Sequence, residues 1–428
     1  MTINQEGFSY LKKYFKLYLL LLASLSTFWL YHKSGIGNDS TISEWIINYQ
    51  GGFTRRGLPG EIAFNIAKEF NLNLRFVIFL MQIFTYYIYL YLVYIFLKKV
   101  NFNLIFVFAF FTPIFLTYHL AELEVLARKE LFMFIGMLWF YLISNKETSA
   151  SVSIIWIITV LPIVTILYEA TAFYYPFFAA VLIIKYKNFK IFSLFFLIFF
   201  SFIPSLVASW FSAFDIITVN EFELMKYSLK QNFNEECYMS CGLMGSKKEA
   251  FVHIAQTIDK LTEEGKLSLF IYLFRYSLIM IIGFLPLWII ILNYRLNIKF
   301  LFFKKTWLVF VFLSIFIPLH WLMFIDWGRA VNITYVSLLF FMFYLFKNDY
   351  VSINIEKIHK KIDSFFIGCE QKIKIISKKN LLIIFFVLYS FGWSPPTLLS
   401  ADVNSFPGYR IPYKTAKYIY FFYIKKPN

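Results

Sequence analysis

The sequence predicts an all-α polytopic integral membrane protein of about 11 transmembrane helices, with its N-terminus in the cytoplasm and one long outer loop. Three observations carry this. Of 428 residues, 60% are hydrophobic and only 15% charged, where soluble domains carry about a quarter charged residues. The apolar residues fall in separate runs, and mean hydropathy is +0.65. The lysines gather in short segments between alternate runs, which sets an orientation. A net charge of +16 would suggest nucleic acid in a soluble protein. With the lysines so placed it fixes topology instead, and no nucleic-acid partner is expected. With 56 Phe and 30 Tyr the spans are aromatic rather than leucine-rich, and three cysteines exclude a disulfide scaffold.

Taken in order, Lys12, Lys13 and Lys16 precede an apolar run at 17–31. That resembles a signal peptide, but the run is long for one and no small-x-small cleavage site follows, so it is read as an uncleaved first span. Further runs lie at 74–97, 102–118, 125–143, 152–167, 172–184, 191–211, 267–292, 307–325, 331–346 and 381–399. By alternation the inner loops hold Lys98 and Lys99; Lys146; Lys185, Lys187 and Lys190; and Arg295, Lys299, Lys304 and Lys305. The outer loops carry mixed charge, as positive-inside orientation requires. Residues 1–428 form a single transmembrane domain without a separate soluble unit.

Three segments lie outside the spans. Residues 347–379 are inner and basic, and Ile353, Ile355, Ile358, Ile362, Phe365 and Phe366 recur at helical spacing, which predicts an interfacial helix on membrane lipid. Residues 212–266 are outer and polar, long enough for a lid. Cys237 and Cys241 fall there at i,i+4 and are expected to pair, while Cys369 on the inner side stays free. The tail at 400–428 is outer, and its Tyr/Phe cluster and closing lysines are expected on the membrane surface.

Absent motifs narrow the chemistry. There is no GxxxxGK[ST] loop, no GxGxxG after a strand, no HExxH, no zinc-spaced Cys/His cluster and no DxD pair. Neither a cofactor nor a metal is expected. What remains is a set of ionisable groups on the outer side. Residues 50–61, QGGFTRRGLPGE, pack four glycines, Arg55, Arg56 and Glu61 between apolar runs. The guanidinium fork suits phosphate oxygens, and glycines let backbone N–H groups approach an anion; the plainer reading is a turn whose arginines meet lipid headgroups. Next come Glu122, Glu124, Arg128, Lys129 and Glu130, in which Glu124 and Arg128 have the spacing of a helical ion pair. Glu169 stands alone between two runs, and a solitary carboxylate at membrane depth is costly enough to need a partner or a task. His320 precedes Asp326-Trp-Gly-Arg329, where Asp326 and Arg329 have i,i+3 spacing and His320 suits an interfacial histidine. A channel or coupled transporter would carry charge inside its spans. Charge at the outer rim suits chemistry on a lipid-linked polar substrate.

The GGFTRRGLPGE loop, Arg128-Lys129-Glu130, the lone Glu169 and Asp-Trp-Gly-Arg together resemble bacterial O-antigen and capsular polysaccharide polymerases, membrane glycosyltransferases of the C-type fold class. The resemblance implies a multi-pass inner-membrane enzyme that joins undecaprenyl-diphosphate-linked repeat units at the periplasmic face, alongside other polysaccharide-assembly proteins. A departing diphosphate needs cations in place. Arg55 and Arg56 are the first candidates, then Arg128 and Arg329, with Glu61, Lys129 and His320 among the binding residues. Glu169 or Asp326 would accept the proton of the attacking hydroxyl. The competing readings are a C-type transferase using a polyprenyl-phosphate sugar, a lipid-linked oligosaccharide flippase and a structural membrane partner.

Overall fold

The computed structural model describes residues 5–36, 39–98, 100, 104–214, 217–245, 255, 258–259, 266–297, 306–323, 326–353, 355–373 and 376–397. Helices run where apolar residues continue unbroken, and several open on a capping side chain. α1 (Gln5–Ser34) is followed by α2 (Ser40–Trp45), which starts at Asp39 because that carboxylate accepts from the N–H groups of Thr41 and Ile42. α3 (Gly57–Glu69) leads into α4 (Leu74–Leu97), capped by the Asn73 side chain. Then come α5 (Leu104–Phe110), α6 (Tyr118–Ala121), α7 (Glu130–Ile143), α8 (Ala150–Thr159), α9 (Leu161–Leu167), α10 (Tyr175–Lys185) and α11 (Ile191–Phe214). α12 (Val219–Phe233) begins on a capping box of Thr218 and Glu221, and α13 (Met239–Gly242) follows. The remainder is α14 (Lys266–Gly283), α15 (Leu285–Asn293), α16 (Thr306–Leu313), α17 (Ile317–Leu322), α18 (Trp327–Lys347), α19 (Ile355–Ile373) and α20 (Lys378–Phe391). One small antiparallel pairing joins β1 (Tyr294–Leu296) to β2 (Val351–Ile353), with Arg295 opposite Ser352.

α18 is the central element. It is buried at every position from Trp327 to Leu345, so it is covered by protein on all sides. Its polar side chains are satisfied by neighbouring carbonyls: Asn332 Nδ2 donates to Ile114 (2.8 Å), Tyr335 to Ala109 (2.7 Å) and Tyr344 to Ser144 (2.9 Å). α11 shows the opposite character, leaving Phe192, Phe195 and Trp210 largely exposed. Aromatic surface of that extent fits a lipid solvent.

Among the described residues, five helices are long and apolar enough to cross a membrane: Tyr14–Ser34, Leu74–Leu97, Ala150–Leu167, Ile191–Phe214 and Trp327–Lys347. The pair Phe270–Gly283 and Leu285–Asn293, bent by 56°, makes a sixth if counted as one span. The chain is thus an all-α protein with membrane-spanning helices. Other expected runs are short pieces. Run 102–118 ends as a helix at Phe110, just before Thr112-Pro113; run 307–325 divides into α16 and α17, the latter opening at Pro318; and run 172–184 gives only α10, with Pro176 in its first turn. Many of their side chains are buried, which is how an apolar piece too short to span escapes water.

The two ends of the bundle differ in chemistry. α7 begins at Glu130 and α18 just after Asp326, whereas their other ends meet at Lys146, whose N–H donates to Asn348. Lys185 joins that second end through the carbonyls of Asn145 and Thr148. The basic residues Lys146, Lys185 and Lys347 therefore lie opposite Arg56, Glu130 and Asp326. The expected helix within 347–379 is α19, and the loop at 212–266 contains α12 and α13, closed by a Cys237–Cys241 disulfide. The side chain of Cys369 and the tail at 400–428 lie outside the described residues.

Candidate active site

At the Arg56 end the charged side chains form one alternating chain. Arg56 forks onto Glu169, with Nε 2.8 Å from Oε2 and Nη2 2.6 Å from Oε1. Its Nη1 donates to Glu44 Oε1 at 2.9 Å, and Glu44 Oε2 accepts from Arg128 Nε at 2.7 Å. Arg128 Nη1 lies 3.8 Å from Asp326 Oδ2, which also accepts from Arg329 Nη1 at 3.1 Å. Arg329 then forks onto Glu130, at 2.7 and 3.2 Å. Seven residues thus alternate in sign from Glu169 to Glu130. Lys129 is tied in by donating to the Arg56 backbone carbonyl, and Arg55 by its electrostatic coupling to Glu169 and Arg56.

Each segment supplies its residue for a local reason. Arg56 sits in the left-handed backbone region (φ 62°) at the start of α3, a conformation costly for a non-glycine residue and held by its ion pairs and the Lys129 bond. Glu130, in the first turn of α7, is favoured there by the helix dipole. Glu169 opens a 3-10 turn, Glu169–Tyr174, next to Tyr168, whose ring lies 5.2 Å beneath the Arg56 guanidinium.

Exposure divides the cluster. The side chains of Glu44, Glu130 and Arg329 are at most 2% exposed, while those of Arg56, Glu169 and Asp326 retain 13%, 17% and 19%. The last three form its mouth. Burial alone would raise the Glu44 carboxyl, but the charges of Arg128, Arg329 and Arg56 hold it well below the usual carboxylate range. Glu169 is likewise pulled, against burial, to about 2 by the charge and hydrogen bonds of Arg56. Burial pushes the Lys129 amine down to about 7, against the pull of Glu44.

The structure brings together Arg55, Arg56, Arg128, Lys129, Glu169, Asp326 and Arg329. It does not bring Glu61, whose carboxylate instead accepts from the Tyr49 N–H (2.9 Å), Gln50 Nε2 (2.8 Å) and Asn65 Nδ2 (2.9 Å), closing its own loop. His320 is buried beside the cluster with Nδ1 3.0 Å from the Tyr174 hydroxyl and its ring stacked on Phe173. One expectation is corrected. Residues 124–128 are not an α-helix: a 3-10 turn at Leu123–Val125 is followed by Ala127 at φ 53°, so Glu124 is exposed and Arg128 pairs with Glu44 instead. Gly51 and Gly60 sit at close backbone contacts. A Cβ on Gly51 would lie 1.8 Å from the Glu221 carbonyl oxygen, and one on Gly60 1.9 Å from that of Ile47. Reasoning from the sequence misses Glu44, the carboxylate that bridges two arginines. The signal was the one that marks Glu169, a lone acid among Ile42, Trp45, Ile46 and Ile47.

α10, α11 and the α16–α17 region line an apolar groove of about 440 Å³, which includes Tyr175, Ala179, Ile183, Leu194, Phe202 and Phe312. Tyr175 follows directly on the 3-10 turn that carries Glu169. No family model, curated protein or solved structure matches the chain.

Proposed function

We propose that this chain is a glycosyltransferase that polymerises lipid-linked oligosaccharide repeat units in surface-polysaccharide synthesis, at the outer face of a bacterial inner membrane. The observation that carries the reading is the partial exposure of Arg56, Glu169 and Asp326 above an otherwise sealed ion-pair cluster. Five basic residues (Arg55, Arg56, Arg128, Lys129 and Arg329) face four carboxylates (Glu44, Glu130, Glu169 and Asp326), so the cluster favours an anion when Lys129 is protonated. The apolar groove beginning at Tyr175 supports a substrate with a long hydrocarbon tail.

In this reading Arg55 meets the diphosphate, and Arg56 is a preorganised cation beside it, held by Glu169 and Glu44. The bond from the anomeric carbon to the phosphate oxygen breaks, and its electron pair leaves with the polyprenyl diphosphate. The acceptor hydroxyl oxygen bonds to the same carbon and gives its proton to a carboxylate. Asp326 suits that task better than Glu169, whose strong pairing with Arg56 makes it a weak base. Both ion pairs of Asp326 fall on Oδ2, leaving Oδ1 outside them.

The test is complementation of a strain lacking the gene, read as surface-glycan chain length. Arg55→Ala and Asp326→Asn should each lower polymerisation on the order of 10²–10³-fold, losing long chains while single repeat units persist. Loss of single units as well would indicate a flippase. Full-length chains from both variants at normal expression would remove the site.

A further inference from the structure

α3 presents three different surfaces. Ala63, Phe64 and Ala67 are buried in a small apolar core shared with Ile42 and Trp45 of α2 and Leu74 of α4. A second flank carries Asn65, Lys68 and Glu69, all exposed. The third carries Ile62, Ile66 and the capping Phe70, at i, i+4 and i+8, and these too are exposed, Phe70 by 71%. Exposed apolar residues continue past the helix end. The turn is tight, with Asn71 at φ 49° and the Leu72 N–H donating to the Ala67 carbonyl at 2.8 Å. Leu72 is itself exposed, and Phe76, Leu80 and Phe84 follow on α4, again at i, i+4 and i+8. α4 is one of the membrane-spanning helices, so its exposed row meets lipid.

With 13 residues, α3 is too short to span, since crossing takes about 20. An exposed apolar flank beside an exposed polar one is the pattern of a helix at the boundary between lipid and water. Lipid accounts for both flanks: hydrocarbon covers Ile62, Ile66 and Phe70, while Asn65, Lys68 and Glu69 stay in water. The continuity of the apolar flank with the lipid-facing row of α4 points to the same occupant.

We propose that the Ile62, Ile66 and Phe70 flank of α3 is seated in the lipid leaflet at the Arg56 end of the bundle, and that this seat sets the depth of the ion-pair cluster in the membrane. Arg56 is the residue directly before α3. The first turn of α3 also packs on backbone, since a Cβ on Gly60 would lie 1.9 Å from the Ile47 carbonyl oxygen. The helix therefore cannot rise or sink without carrying the mouth of the cluster with it. The proposal holds whatever reaction the cluster performs.

Nitroxide labels at single cysteines test it on the full-length chain in lipid nanodiscs. The background is Cys369→Ser, with Cys237 and Cys241 held in their disulfide. Labels are placed by Ile66→Cys and Phe70→Cys on the apolar flank, by Lys68→Cys on the polar one and by Tyr227→Cys on the exposed surface of α12. Molecular oxygen concentrates in hydrocarbon and a neutral nickel chelate in water, so power saturation separates the two settings. The labels at 66 and 70 should favour oxygen over nickel several-fold more than those at 68 and 227. Equal ratios at all four positions overturn the proposal, as does low access to both reagents at 66 and 70, the mark of a surface covered by protein. A lipid-soluble aryl diazirine photolysed with the unsubstituted chain supplies a readout free of mutation. Carbene adducts should map to Ile62, Ile66 or Phe70 as well as to Phe76, Leu80 or Phe84; labelling of α4 with none on α3 overturns the proposal too.

Discussion

Replacing Glu44 by Gln changes one charge and almost no volume, at a fully buried carboxylate that bridges two arginines. Its side chain has no exposure, and it accepts from Arg56 at 2.9 Å and Arg128 at 2.7 Å. Arg56 keeps its fork on Glu169, but Arg128 is left with Asp326 at 3.8 Å. The variant therefore leaves Arg128 nearly uncompensated in a buried setting. Breaking one partner of a buried ion pair costs about 3–5 kcal/mol, so a loss of about 3 kcal/mol or more is expected. The assay is unfolding in mixed micelles at increasing denaturing-detergent fraction, followed by tryptophan fluorescence. Trp45 is a convenient reporter, since it adjoins Glu44 in sequence and its indole N–H donates to the Ala127 carbonyl at 3.0 Å. The double variant Glu44→Gln with Arg128→Gln should recover part of the loss, with a coupling energy of about 1–3 kcal/mol. A Glu44→Gln cost under about 0.5 kcal/mol, the scale of an exposed pair, refutes the buried network.

Three further outcomes follow from other parts of the structure. Gly51→Ala and Gly60→Ala drive a Cβ against the carbonyl oxygens of Glu221 and Ile47 and should each cost about 1–3 kcal/mol, read as a drop in thermal midpoint; unchanged midpoints would show that the loop can relax. Reducing Cys237–Cys241 opens a ring of sequence separation 4 and should cost about 2 kcal/mol by loop entropy, with thiol labelling of both cysteines appearing only after reductant. Lys129 titrates near 7 when folded, against an ordinary 10.5, so between those values the unfolded chain binds more protons. Stability contributed by this group should therefore rise with pH from about 7 to about 10, and a Lys129→Met variant measured over the same range should lack that rise.

How much the sequence revealed depends on whether local signals sufficed. The run at 74–97 coincides with α4, and 191–211 and 331–346 fall inside α11 and α18. The runs at 74–97 and 331–346 contain no proline, and 191–211 tolerates Pro204 at lipid-facing depth. Runs containing Pro113, Pro176 or Pro318 looked similar in hydropathy, yet protein rather than lipid covers much of them, and hydropathy does not distinguish the two. In the site, Glu169 and Asp326-Trp-Gly-Arg329 were legible as charges in apolar surroundings. The local Asp326–Arg329 pair was legible as well, but the distant partners were not, because Arg56 and Glu169 are 113 residues apart and Glu130 and Arg329 are 199 apart. Glu61 was read as a substrate-binding residue, yet its carboxylate closes its own loop, a role that spacing alone does not separate from ligand binding.

The alternating chain of charges also bears on biogenesis. Its residues come from α2, the loop before α3, the junction before α7, α7 itself, the 3-10 turn before α10 and the start of α18. A nascent chain that has made only its first helices carries Glu44, Arg56 and Arg128 at one membrane surface with Glu169 and Arg329 still to be synthesised. Those charges can sink into the protein only when α18 arrives to occupy the centre. Closure of the network is thus a late event in assembly, and a chain truncated before α18 should leave unmatched charge where membrane quality control can detect it.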